Sequence, residues 1–192
     1  MNIRSKLRHE ILNLLTIISL ISQEKNKTPL AEEQLQFAIE KISLLVKYDD
    51  IFLGEIKSST TVFLSNLVEN LLQEYEETIK KNKIKIIVDY PDNSFSVDQK
   101  SFFLFLDFLL KNFLVKTKEL SLKITKDTFS VFLKHIDTKF FIKKELISCI
   151  EDRQISIFEL EFQILIEMIV LSGFFFEVEG SNIILKKLKL KN

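Results

Sequence analysis

The spacing of apolar residues ahead of Gly54 constrains the fold more than any other feature of the sequence. Ile3, Leu7, Ile11, Leu14, Ile18 and Ile21 recur at steps of three and four, which places them on one stripe of a helix. The pattern predicts a helix from about Ile3 to Gln23. It breaks at Glu24-Lys25-Asn26-Lys27 and resumes at Thr28-Pro29, running to about Phe52. Thr28 suits an N-cap, Pro29 the first helical position and Gly54 the C-terminal cap. On the second helix Leu35, Ala38, Ile42, Leu45 and Phe52 share a face, widened by Ile39, Val46 and Leu53. A short loop between two long helices gives an antiparallel hairpin. Two helices alone cannot bury so wide an apolar surface. Pairing two copies into a four-helix bundle, and hence a homodimer, is the economical solution; packing on the rest of the same chain is the alternative.

After Gly54 the period changes. Residues 55–61 read as a linker or edge strand and Val62 to Lys81 as a helix. Lys83 to Tyr90 reads as a strand, Pro91-Asp92-Asn93 as a turn and Ser94 to Val97 as a short strand. Asp98 is the expected N-cap of a helix to about Lys116. Glu119–Thr125 and Thr128–Ile136 form an expected hairpin, Phe140 to Glu151 a short helix and Ser156 to Ser172 a long one. Phe174–Glu179 and Asn182–Leu190 form a last hairpin. Strands and helices without strict alternation imply an α+β sandwich with helices on one face of a mixed sheet. The expected domains are residues 1–55, the helical hairpin, and 56–192, the sandwich.

The net charge of zero gives no general pull toward nucleic acid or an acidic membrane. The single cysteine, Cys149, excludes an internal disulfide and suits a reducing cytoplasm. No apolar run reaches the ~20 residues that cross a bilayer, and the basic start of the first helix does not read as a signal peptide. The chain has only three glycines, where usage of about 7% would give about a dozen. Loops that cradle nucleotide phosphates use glycine to let backbone N–H groups approach closely, and little glycine is present for that purpose.

Chemistry concentrates on the first helix, at Arg8-His9-Glu10-Ile11-Leu12-Asn13. At ~100° per residue His9 points away from the apolar stripe. Ser5, Asn13 and Thr16 share its face, and Lys6 flanks it one turn earlier. An imidazole on a rigid helix with a cation and an amide within one turn can carry a phosphoryl group, because its nitrogen is a nucleophile near neutral pH. A surface histidine on an ordinary helix is the plain alternative. His135, at the end of a predicted strand, reads as structural.

The order of elements resembles the sensor histidine kinase core, a dimerising hairpin that bears the histidine followed by an α+β ATP-binding domain. His9-Glu10 with Asn13 is similar to that family's H-box, with Leu14 replacing a common proline. Asp98, the run Leu106-Asp107-Phe108-Leu109-Leu110-Lys111-Asn112 and Thr117 are similar to its N-box. Asn112 keeps the second family asparagine, whereas Phe108 replaces the first. In the lid, Asp137 matches the adenine-reading aspartate, but Lys139 and Phe141 stand in place of glycines. Glu159 and Glu161 occupy the register of the second glycine box, where carboxylates repel triphosphate oxygens. Phe108 offers Mg²⁺ no oxygen. The resemblance therefore implies a vestigial nucleotide site, marked by Asn112 and Asp137, and no ATP.

A retained histidine beside a lost ATP site resembles the dimeric bacterial histidine phosphotransferases. That resemblance implies a relay of phosphoryl groups between receiver aspartates of response regulators, with His9 as acceptor. It implies that Glu10 orients or polarises the imidazole, although adjacent helical residues do not face each other. Lys6 and Arg8 would offset phosphate charge, and Asn13 would hydrogen-bond the phosphoryl group. No cofactor is expected beyond Mg²⁺ brought by the receiver domain, and neither nucleic acid nor membrane is an expected partner. The alternative is a catalytically inactive pseudo-kinase that binds a response regulator or a kinase as a regulatory module.

Overall fold

The computed structural model describes residues 3–23, 28–49, 60–90, 95–136, 141–152 and 154–188. The chain divides into two compact units, one of residues Met1–Ile56 with Lys144–Ile164, the other of Lys57–Lys143 with Leu165–Asn192. The segment Lys144–Ile164, assigned from the sequence to the sandwich, thus groups with the hairpin.

In the first unit, α1 spans Ile3–Gln23 and α2 spans Pro29–Lys47. The N-cap of α2 is Thr28, whose Oγ1 accepts from the backbone N–H of Ala31 at 3.2 Å, with Pro29 in the first turn. Tyr48 is the C-cap; Gly54, expected in that role, lies outside the described residues. Leu14 and Ile21 of α1 and Ala31, Ala38 and Leu45 of α2 are buried. Leu7, Ile11 and Ile18 of the predicted stripe are only half-buried. Leu12 and Leu15 on α1 and Ile39 and Val46 on α2 stay exposed. Among its described residues the unit also holds a six-residue helix, Leu146–Glu151, and the start of a long helix, Ile157–Leu171.

The second unit opens with β1, Thr61–Phe63, paired antiparallel with β3, Ser96–Asp98. The single helix expected over Val62–Lys81 is instead β1 followed by α3, Leu64–Glu74, and α4, Glu76–Asn82. The break falls at Tyr75, whose backbone sits near φ −95°, ψ 6°, and whose hydroxyl donates to Asp107 Oδ1 at 2.7 Å. After β2, Lys85–Asp89, and β3 comes α5, Gln99–Phe113, capped as expected by Asp98, which accepts from the N–H of Ser101 at 2.7 Å. Next come β4, Glu119–Ile124, and β5, Thr128–Leu133. The helix expected over Phe140–Glu151 forms only from Leu146 and is α6; the helix Ile157–Leu171 is α7. The final hairpin joins β6, Phe174–Glu179, to β7, Asn182–Lys187, across Gly180 at φ +57°.

The main sheet has the order β2-β4-β5-β7-β6. Its β2–β4 pair is parallel and the other pairs are antiparallel. Strand alternation sends Leu120, Leu122 and Ile124 of β4 and Phe129, Val131 and Leu133 of β5 inward. Helix α5 meets this core through an edge-on contact of Phe102 with Phe174 at 4.8 Å and another of Phe105 with Phe176 at 6.5 Å. The class is α+β, a helical hairpin followed by a mixed-sheet sandwich, as the sequence predicts.

Candidate functional site around His9

His9 and Arg8 stand exposed on α1, as do Ser5 and Thr16. Thr16 turns its hydroxyl back to the carbonyl of Leu12 at 2.8 Å, so it presents no free donor. Asn13 departs from the expected shared face. It is half-buried and lines a cleft of about 320 Å³ between α1 and α2, with Glu10, Ile17, Gln34, Phe37 and Lys41. The physical reason is that Asn13 lies between the His9 direction and the apolar stripe on a 100° wheel, so α2 reaches it. The exposed residues Leu12, Leu15, Ile39 and Val46 lie on the opposite side of the hairpin from this cleft by the same arithmetic.

Two of the charged residues near His9 on this helix, Lys6 and Glu10, already have partners. Lys6 Nζ is 2.9 Å from Glu151 Oε1 at the end of α6. Glu10 Oε1 accepts from Lys41 Nζ at 2.8 Å, and the same ammonium donates to the carbonyl of Asp152 at 3.3 Å. Lys41 is 0% exposed, which sequence reasoning missed because lysine in a helix ordinarily marks the solvent face. The available signal was its position, in register with Gln34 and Ala38 on the inner side of α2. Among the described residues no hydrogen bond joins Glu10 to His9.

The carboxylates in the glycine-box register have local duties. Ser156 caps α7, its Oγ accepting from the Glu159 N–H at 3.1 Å while the Glu159 carboxylate accepts from the Ser156 N–H at 3.2 Å. These bonds hold the Glu159 carboxyl below the usual carboxylate range, with Lys144 nearby adding to the effect. The Ser-x-x-Glu spacing was legible as a capping box. Glu161 accepts from the Tyr48 hydroxyl at 2.9 Å and from Lys47 Nζ at 3.1 Å. Burial, aided by the Glu161 charge, pushes the Tyr48 hydroxyl up to about 12, so it stays a donor across the physiological range.

The second unit holds further residues that the resemblance sets against a nucleotide site. Asn112 Nδ2 donates to the carbonyl of Phe108 at 2.8 Å, one turn back on its own helix. Asp137 lies outside the described residues. Phe108 is 5% exposed. Phe141, in place of a glycine, is 1% exposed, its ring 5.1 Å from that of Phe113. The apolar cavity beside α5, lined by residues such as Leu106, Leu110, Leu122 and Val131, measures about 10 Å³. Small-ligand pockets take roughly 300–1,000 Å³. Thr117 is buried and donates to the carbonyls of Glu119 and Lys134, a structural tie. His135, expected at a strand end, sits in the turn after β5, exposed and at φ +67°. Burial pushes the Cys149 thiol up, which makes it a poor nucleophile. No cluster of three metal-ligating side chains occurs among the described residues, and no helix among them is long and apolar enough to cross a membrane.

No protein-family model matches the chain, and neither does any curated protein. Solved structures do match. The cytoplasmic segment of histidine kinase QseC aligns with a TM-score of 0.54 at 12% identity, over 79% of this chain and 95% of that one. The Acinetobacter baumannii histidine kinase AdeS aligns with a TM-score of 0.50 at 14% identity, over 97% and 98% of the two chains. Histidine kinase ThkA, solved in complex with response regulator protein TrrA, aligns with a TM-score of 0.50 at 18% identity, over 95% of this chain and 60% of that one. At such identities the likeness is one of architecture, and the fold of the chain is that of histidine kinase cytoplasmic segments.

Proposed function

We propose that the chain is a histidine phosphotransferase of a two-component phosphorelay, acting as a homodimer and without nucleotide. The reading extends the histidine-kinase fold with the H-box-like residues on α1. The observation that carries it is Phe141, buried against Phe113 at a position where the resembled kinases need glycine. A buried aromatic side chain there departs from the glycine-rich loop that the resembled kinases use around phosphates, while His9 on the hairpin is exposed.

In the proposed reaction an imidazole nitrogen of His9 attacks the phosphorus of a receiver's aspartyl phosphate. The P–N bond forms as the P–O bond to the aspartate breaks, and a second receiver aspartate reverses the exchange. Such transfer depends on positioning and charge stabilisation more than on covalent help. Arg8 supplies an exposed cation beside His9, Asn13 an amide one turn on, and Mg²⁺ arrives with the receiver. The alternative of a regulatory binding module draws on the engagement of Lys6 with Glu151.

One experiment separates the two. Phosphorylated receiver domains from the same cell are mixed with the protein in the absence of nucleotide. The relay reading expects an acid-labile, alkali-stable label on wild type and none on His9→Ala, with both forms dimeric. Tight binding of a receiver without any label sinks it and leaves the module.

A further inference from the structure

We propose that Lys41 is a positioning residue for His9, and that the Glu10–Lys41 pair pins the rotation of α1 while Glu10 takes no acid–base part. This rests on the reading of His9 as the phosphoryl acceptor. Glu10 follows His9 directly, so the two side chains leave the helix about 100° apart. Fixing one direction fixes the other. The fixing is strong because Lys41 is fully buried, with Phe37 beside it at 5.7 Å from the ring centroid. Its ammonium has a carboxylate at 2.8 Å and a carbonyl at 3.3 Å as acceptors.

A buried ammonium cannot be left unpaired, so Glu10 is held toward α2. The carboxylate that the family resemblance would aim at the imidazole is thereby committed elsewhere. The carbonyl of Asp152 extends the clamp to the segment that follows α6. Three stretches far apart in sequence therefore converge on the turn of α1 that carries His9. A receiver aspartate reaching the imidazole needs that turn at one angle; a small phosphodonor does not.

The test uses the full chain in a His135→Asn background, with Lys41→Met, Glu10→Gln and the double variant Glu10→Met/Lys41→Met. The apolar pair removes both charges at similar volume, a change that folds well in other buried pairs. Potassium phosphoramidate, a small donor, reads the chemistry of His9. Its labelling rate and pH profile are expected to stay within about twofold of wild type in every folded variant, because no general base is lost. Amide exchange over Lys6–Asn13 reads the pin. Lys41→Met is expected to speed it about tenfold, and the double variant to restore it. Transfer from a phospho-receiver is expected to fall about tenfold or more in Lys41→Met and to recover to within about threefold in the double variant.

A large loss of phosphoramidate labelling in the Glu10 variants, or a shifted pH profile, overturns the proposal by showing that Glu10 acts on the imidazole. So does unchanged exchange in Lys41→Met, or a folded double variant that fails to recover. Should Lys41→Met not fold, the double variant alone decides by the same criteria. If wild type accepts phosphate from no receiver, the relay reading fails, while the phosphoramidate and exchange measurements still judge the pin.

Discussion

Replacing Leu15 and Val46 with glutamate is expected to dissociate the proposed dimer while leaving each hairpin folded. Leu15 is 49% exposed and Val46 60% in the isolated chain. Full burial of such a side chain stabilises by about 1.5–3 kcal/mol, so about 1 kcal/mol per residue remains available to a partner surface. With two residues on each of two copies, the loss is about 4 kcal/mol. At 1.4 kcal/mol per tenfold, the dimer constant weakens about a thousandfold. Carboxylates trapped in an apolar seam add to that loss. Leu45, at 1% exposure, belongs to the protomer's own core and would unfold it if charged, so it is unsuitable for this purpose. Sedimentation equilibrium across the micromolar range, with helicity followed by circular dichroism, reads the outcome. A wild type that is monomeric throughout refutes the reasoning, as does a double glutamate variant that dimerises as tightly as wild type.

ATP with Mg²⁺ is expected to give no saturable heat in calorimetry at millimolar nucleotide, because Phe141, buried against Phe113, stands where the resembled kinases have glycine; clear binding refutes the reading of a lost nucleotide site. Tyr48→Phe removes a part-buried hydrogen bond to Glu161 and is expected to cost about 1 kcal/mol in urea unfolding at neutral pH. Glu159→Gln is expected to cost about 1 kcal/mol at neutral pH through the weakened capping box. The folded carboxyl of Glu159 is lowered, so its contribution is present above the ordinary glutamate range. It is lost as pH falls through that range toward the folded value, and the difference between variant and wild type should narrow on acidification.

The hairpin was legible because steps of three and four over more than five turns leave few alternatives to helix. The strands Glu119–Ile124 and Thr128–Leu133 were legible because they alternate, and Lys126-Asp127 between them reads as a turn. The break at Tyr75 was not, since no glycine or proline marks it; a hydroxyl contact to Asp107, distant in sequence, accompanies it. The inner position of Lys41 was hidden for a similar reason. Local pattern assigns lysine to solvent, and only the pairing of α1 with α2 supplies the carboxylate that lets it be buried. His9 was singled out because its neighbours form a motif. The partners of Lys6 and Glu10 come from α6 and α2, and pairing between separate elements is invisible to periodicity.

The first unit is completed by residues that the ribosome makes late. Lys41 and the carbonyl of Asp152 are 111 residues apart in sequence. At about 5–20 residues per second, the hairpin waits roughly 6–20 s after Lys41 is made before that acceptor exists. Helix pairing takes microseconds, so α1 and α2 meet long before the clamp can close. During synthesis the apolar seam of Leu12, Leu15, Ile39 and Val46 is exposed on a nascent chain. In the proposed dimer, neighbouring nascent copies on one polysome can pair through that seam before the clamp closes, because seam and clamp lie on opposite sides of the hairpin.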